Sequence, residues 1–217
     1  MDSGEKGVKD FFSGYAEEFD SIYGDGSPRS FFNRLMDKSF RGSMYERYKR
    51  TLNFLKEKQV TSVLDVGCGS GRYCTDLALL GINVLGVDLS ESMISLGKSN
   101  AVKNNLSNIS YKVGSYLDTA TKTKYDASIL MGFFDYIEKP TDIFLKLKKD
   151  THKYILASFP KGHGFLAWQR KIRYQLRNCQ LFYYSKDSIA EIMDECSIKN
   201  YEIQDNDREY FLIVNLK

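Results

Sequence analysis

The chain has 217 residues, 42% of them apolar and 27% charged, and a formal net charge of +3. That length fits one domain spanning 1–217, and no apolar run approaches the ~20 residues a membrane-spanning helix needs. The charge is too small to imply nucleic acid by itself, and the polar start Met-Asp-Ser-Gly-Glu-Lys, with no apolar stretch behind it, reads as cytoplasmic rather than as a secretion signal.

In chain order, Phe11, Phe12, Tyr15, Phe19, Ile22 and Tyr23 recur at a three-to-four spacing, which predicts an aromatic stripe on a helix ending near Gly24. A second helical stretch runs over 31–58, with Arg41-Gly42 as a candidate break, so 1–60 reads as an N-terminal helical extension and 61–217 as an α/β core. Val63-Leu-Asp-Val66 is an apolar run ending as a buried strand, and Gly67, Gly69 and Gly71 then form a turn that needs positive φ or close backbone approach. A helix over 72–80 leads to a strand over 83–87 tipped by Asp88, which lies 21 residues after Gly67. Helices follow over 91–104, 140–149 and 186–196, the first and last with Ser90 and Ser185 as caps. Strands fall at 109–113, 125–131 and 153–158, and two more around a turn at Asp205-Asn-Asp form a C-terminal hairpin. Strand–helix alternation with short links argues for a mostly parallel sheet covered on both faces. The four cysteines (68, 74, 179 and 196) make no C-x-x-C pair and no metal-ligand spacing, so free thiols and no metal are expected.

The glycine spacing narrows the ligand. A dinucleotide turn is G-x-G-x-x-G, and here Arg72 occupies the position of its third glycine; there is no G-x-x-x-x-G-K-[ST] loop either. Asp65, inside the strand before the turn, suits a ligand with an ammonium or sulfonium group and no phosphates. Asp65-Val-Gly67-Cys-Gly69-Ser-Gly71 together with Asp88-Leu-Ser resembles the cofactor site of class I S-adenosylmethionine-dependent methyltransferases. The resemblance covers roughly residues 45–217. It implies a Rossmann-like α/β fold, a seven-stranded mostly parallel sheet of order 3-2-1-4-5-7-6 with helices on both faces, with S-adenosyl-L-methionine as cofactor and S-adenosyl-L-homocysteine as product. It also assigns roles to the carboxyl ends of the strands, where ligands of open α/β sheets lie. Asp65 and the turn backbone, Cys68 included, would hold the methionine amino group, and Asp88 the ribose hydroxyls. Leu89 and Met93 would wall the adenine, Gly114, Ser115 and Tyr116 would meet its edge, and Met131, Gly132 and Phe133 would stand where the methyl group is presented. The commoner pattern has an acid near Ser115, which this chain lacks. Met93 and Tyr116 read equally well as core residues.

Methyl transfer from a sulfonium is an in-line displacement, for which the protein supplies mainly alignment, worth roughly 7–11 kcal/mol. A base is needed only for an acceptor of high pKa. His163, in the Lys161-Gly-His-Gly164 loop after the fifth strand, is the candidate base or else a surface-loop histidine; His152 lies at the other end of that strand. Asp135 would orient an acceptor or take its proton, or else cap the next helix. Residues 160–186 form an insertion with six basic residues and no acidic one, interleaved with Phe165, Trp168, Tyr174, Phe182, Tyr183 and Tyr184. Such a segment suits an aromatic or anionic acceptor, a transient membrane surface, or simply a helix with a solvated basic face. Tyr15 and Tyr23 resemble the lid that closes over the cofactor in small-molecule methyltransferases. The expectation is therefore methylation of a small molecule. The alternatives are a cofactor-binding protein without turnover and an RNA or protein methyltransferase; nothing in the chain specifies an oligomeric state.

Overall fold

The computed structural model of the chain describes residues 31–162, 180–206 and 208–217. Tyr15, Tyr23, the aromatic stripe over 11–23, His163 and most of the 160–186 segment lie outside the described residues. The described part opens with α1 (Phe31–Glu57), a single helix that runs unbroken through the candidate break at Arg41 and Gly42. An isolated glycine in a helix costs only about 1 kcal/mol, which the remaining turns offset.

From there strand and helix alternate: β1 (Ser62–Val66), α2 (Arg72–Leu79), β2 (Asn83–Asp88), α3 (Glu91–Lys103), β3 (Ile109–Val113) and β4 (Tyr125–Leu130). A short 3₁₀ turn (Phe134–Tyr136) leads to α4 (Thr141–Asp150), β5 (Thr151–Pro160), α5 (Lys186–Glu195), β6 (Tyr201–Asp205) and β7 (Glu209–Asn215). The seven strands form one sheet in the order β3-β2-β1-β4-β5-β7-β6. β3, β2, β1, β4 and β5 run parallel, and β7 enters antiparallel between β5 and β6. β5 runs two residues further than expected because Phe159 and Pro160 pair with Tyr210 and Glu209 of β7.

The central strands bury both faces, so their apolar runs split alternately between two cores. Leu64, Val66, Leu85, Val87 and Leu130 pack against Ile143, Phe144 and Leu147 of α4 and Ile189 and Met193 of α5. Val63, Val84, Ala127 and Ile129 pack on the other side against Leu55 of α1, Leu77 of α2 and Ile94 of α3. Edge strands β3 and β6 are instead half exposed. Ser90 caps α3 by accepting from the Met93 amide, and Ser185 caps α5 in a reciprocal box with Ser188.

Candidate active site

The parallel strands end together at one edge of the sheet, and each hands the chain to a loop there. β1 ends in Asp65, 2% exposed, and the chain then turns through Gly67, Gly69 and Gly71 with φ of 73°, 53° and 77°. Gly67 is required twice over, because a Cβ there would stand 2.7 Å from Cδ2 of Phe133. The turn is tied to β2: the Gly67 and Cys68 amides donate to the Val87 carbonyl at 2.8 and 3.2 Å. The Gly69 amide donates to Asp88 Oδ2 at 2.9 Å, and the Ser90 amide to Asp88 Oδ1 at 2.9 Å. One carboxylate thus fixes both the glycine turn and the start of α3.

Both carboxyls at this edge are shifted upward by burial. Burial pushes the Asp65 carboxyl up to about 7; the Cys74 thiol, 3.3 Å from Oδ2, pulls the other way, and Asp88 adds to the rise. Burial likewise raises Asp88, against which the Ser90 and Gly69 amides work. Two carboxylates at the turn disfavour a phosphate and attract a cation, which suits a sulfonium nucleoside.

Further along the edge, the Gly114 amide extends the β2–β3 ladder to the Asp88 carbonyl at 2.9 Å. Leu89 is half-buried beside Asp88, and Met93 is buried one helical turn on. Ser115 stays partly open, its carbonyl accepting from Thr119 Oγ1 at 2.8 Å. The Tyr116 side chain takes the core alternative: its ring is 4% exposed and its hydroxyl donates to Asp150 Oδ2 at 2.8 Å. Only the backbone of Tyr116 remains for a ligand.

β4 delivers Met131, Gly132 and Phe133. Gly132 has φ 73°, and its amide donates to Ser158 Oγ of β5 at 2.8 Å. Asp135 is buried, and neither α4 nor the 3₁₀ turn carries a side-chain cap. Its Oδ2 and Nη2 of Arg47 lie on the same side of Gly132, each 3.8 Å from where a Cβ would stand.

Arg47 is the site residue that the sequence reading missed. It reaches from α1 to the carboxyl end of β5 and the amino end of the antiparallel β7, donating to Ser158 Oγ at 3.3 Å and pairing with Glu209 Oε2 at 2.6 Å, both side chains about nine-tenths buried. Tyr73, on the first turn of α2, completes this corner; burial raises its hydroxyl to about 12, with Arg47 opposing the rise. No local pattern in α1 marks Arg47, since only the crossing of that helix over the sheet edge brings it here.

A family model described as a methyltransferase domain matches residues 57–208, which holds β1 to β6 and ends just before β7. The chain belongs to the class I S-adenosylmethionine-dependent methyltransferases. A ubiquinone biosynthesis O-methyltransferase of Pelagibacter ubique is 30% identical over 146 residues, 67% of this chain and 60% of that protein. EEF1A lysine methyltransferase 2 of Homo sapiens is 33% identical over 125 residues, 55% of this chain and 52% of that one. The match thus spans little more than half the length of these curated relatives. Among solved structures, magnesium protoporphyrin IX methyltransferase from Synechocystis PCC 6803 with bound SAH superposes with a TM-score of 0.79 at 19% identity, covering 98% of this chain and 99% of that one. That likeness is one of fold. Among the described residues no group of His, Cys, Asp and Glu could hold a metal ion, and no helix is long and apolar enough to cross a membrane.

Proposed function

We propose that this class I methyltransferase transfers a methyl group from S-adenosylmethionine to a small-molecule acceptor in the cytoplasm. The observation that carries the reading is the pairing of Asp88 with the positive-φ glycine turn, beside the buried Asp65 and Arg47. Asp88 would take the ribose hydroxyls, Asp65 and the turn amides the methionine ammonium, and Arg47 the methionine carboxylate. Leu89 would flank the adenine, with the Met93 side chain buried behind it and Gly114, Ser115 and the Tyr116 backbone at its edge.

When bound, S-adenosylmethionine supplies a methyl group already activated on sulfonium sulfur. The chain's own residues bind, orient and exclude water. Gly132 and Phe133 leave room at the end of β4 for a close approach, and Asp135 faces that space as the carboxylate able to orient an acceptor or receive its proton. The Arg47–Glu209 pair borders the same space, so an acceptor with a polar or anionic head meets a buried cation there. The names of the Pelagibacter and Synechocystis proteins support a small-molecule acceptor, whereas the human relative keeps a protein acceptor as the second reading.

The test is calorimetric titration with S-adenosylmethionine and S-adenosylhomocysteine, beside Asp88→Ala and an NAD control. It is followed by transfer of labelled methyl into cell extract separated into protein and small-molecule fractions. Binding of both sulfur nucleosides with label in the small-molecule fraction supports the reading. Label confined to protein replaces the acceptor class, and preference for NAD overturns the whole.

A further inference from the structure

Beneath the glycine turn, β3 sends in one large side chain. Tyr111 lies where three glycines leave space. A Cβ on Gly71 would stand 2.9 Å from its Cζ, one on Gly86 2.9 Å from its Cδ1, and one on Gly97 3.0 Å from its Cζ. Those glycines belong to the turn, to β2 and to α3, so a single ring is wedged among three elements that form the cofactor site. The point above Gly86 is also 2.8 Å from the Cys68 sulfur and 3.0 Å from the Cys74 sulfur, which places both thiols against the same ring.

The polar end of that wedge is buried. The Tyr111 hydroxyl makes no well-formed hydrogen bond among the described residues, and the group it faces is the Cys74 thiol. Cys74, wholly buried, in turn donates to Asp65 Oδ2 at 3.3 Å. A buried polar atom with no better partner is costly, so its persistence here argues for a use. Packing alone would be met as well by phenylalanine.

We propose that Tyr111 and Cys74 are positioning residues for cofactor binding: the Tyr111 ring props the glycine turn from beneath, and its hydroxyl backs the Cys74 thiol, which holds the Asp65 carboxylate ionised and aimed at the cofactor's ammonium group. This rests on the reading of Asp65 as the ammonium partner. The ionisable groups facing Asp65 are Cys74 and Tyr73 from α2, Cys68 from the turn, Asp88 from β2 and Tyr111 from β3, with Arg47 of α1 behind Tyr73. Asp88 raises the cost of charge on Asp65, and Cys74 is the neighbour that lowers it. Removing the thiol therefore pushes the carboxyl further up, and the loss of affinity is greatest at low pH and fades as pH rises.

The experiment measures affinity for S-adenosylmethionine from about pH 6 to about pH 9 in the full chain and in Tyr111→Phe, Cys74→Ala, Cys74→Ser and Asp65→Asn, with circular dichroism to establish folding. Cys74→Ala should bind about tenfold more weakly near pH 6.5 and approach wild type near pH 9, while Cys74→Ser, whose hydroxyl donates from the same place, stays within about twofold. Tyr111→Phe should follow the same pH trend with a loss of about threefold. Equal behaviour of Cys74→Ala and Cys74→Ser, or a loss independent of pH, overturns the proposal. Weak binding by Asp65→Asn beside unchanged Cys74→Ala overturns the pair alone. Wild-type binding by Asp65→Asn overturns the role of Asp65 and the pair with it.

Discussion

At the scale of single residues, Asp65 carries the clearest pH signature. A carboxyl raised to about 7 by burial keeps a proton in the folded chain over a range where the unfolded chain has released it. Its contribution to stability is thus complete below about pH 4 and lost as pH rises through about 7. Without cofactor, Asp65→Asn should melt like wild type near pH 4 and at a higher temperature near pH 8.5, which thermal unfolding at the two pH values checks. An ammonium ligand needs the ionised form, so wild-type affinity should rise through the same range. Asp88 is the other sensitive position, since its two oxygens each accept an amide that shapes the turn. Asp88→Ala should weaken S-adenosylmethionine binding about 100-fold in calorimetry, because hydrogen bonds to a charged group are each worth about 1.5–3 kcal/mol. Gly67→Ala should destabilise the protein by about 1–3 kcal/mol in denaturant unfolding, given a φ of 73° and Phe133 Cδ2 at 2.7 Å from the new methyl.

Between elements, two contacts decide how the site is held. Phe134 of the 3₁₀ turn stacks on Phe159 of β5 with centroids 4.3 Å apart and on Phe144 of α4 at 5.4 Å. This column carries the segment that follows Gly132. Phe159→Ala should cost about 3–5 kcal/mol in denaturant unfolding. The second contact is the docking of α1, where Arg47 meets Glu209 and Arg50 meets Gln204 and Asn206 at 2.9 and 3.1 Å. Tyr48 bonds Asp76 on α2, so the helix bridges the two sides of the edge. Arg47→Met leaves Glu209 buried without its cation and should cost about 3–5 kcal/mol. Adding Glu209→Gln should restore part of that stability but not the affinity for S-adenosylmethionine, which separates docking from ligand binding in paired unfolding and calorimetric measurements.

Over the whole molecule, a ligand bound only by the folded state adds to its stability. S-adenosylmethionine at about 100 times its Kd should add about 2.7 kcal/mol and raise Tm by roughly 5–10 °C for a chain of this size. Asp88→Ala should show no such rise. The order of elements and the parallel sheet were legible in the chain because strand and helix periods alternate and the central strands are apolar throughout. The turn, Asp65, Asp88 and Gly132 were legible because a sharp bend at a strand end restricts residue type locally. Tyr116 shows the limit of such reading: position at a strand end does not say which way a ring goes, and Asp150 of α4 draws its hydroxyl into the core. Arg47, Glu209, Ser158, Tyr73, Cys74 and Tyr111 carry no local mark, because each gains its role from a neighbour far away in sequence. Periodicity was enough to specify the alternating elements, and the pairing of Asp65–Gly71 with Asp88 carried the resemblance to the family. Which side chains charge and prop that site was decided only by folding, since burial and close approach between distant segments set those energies.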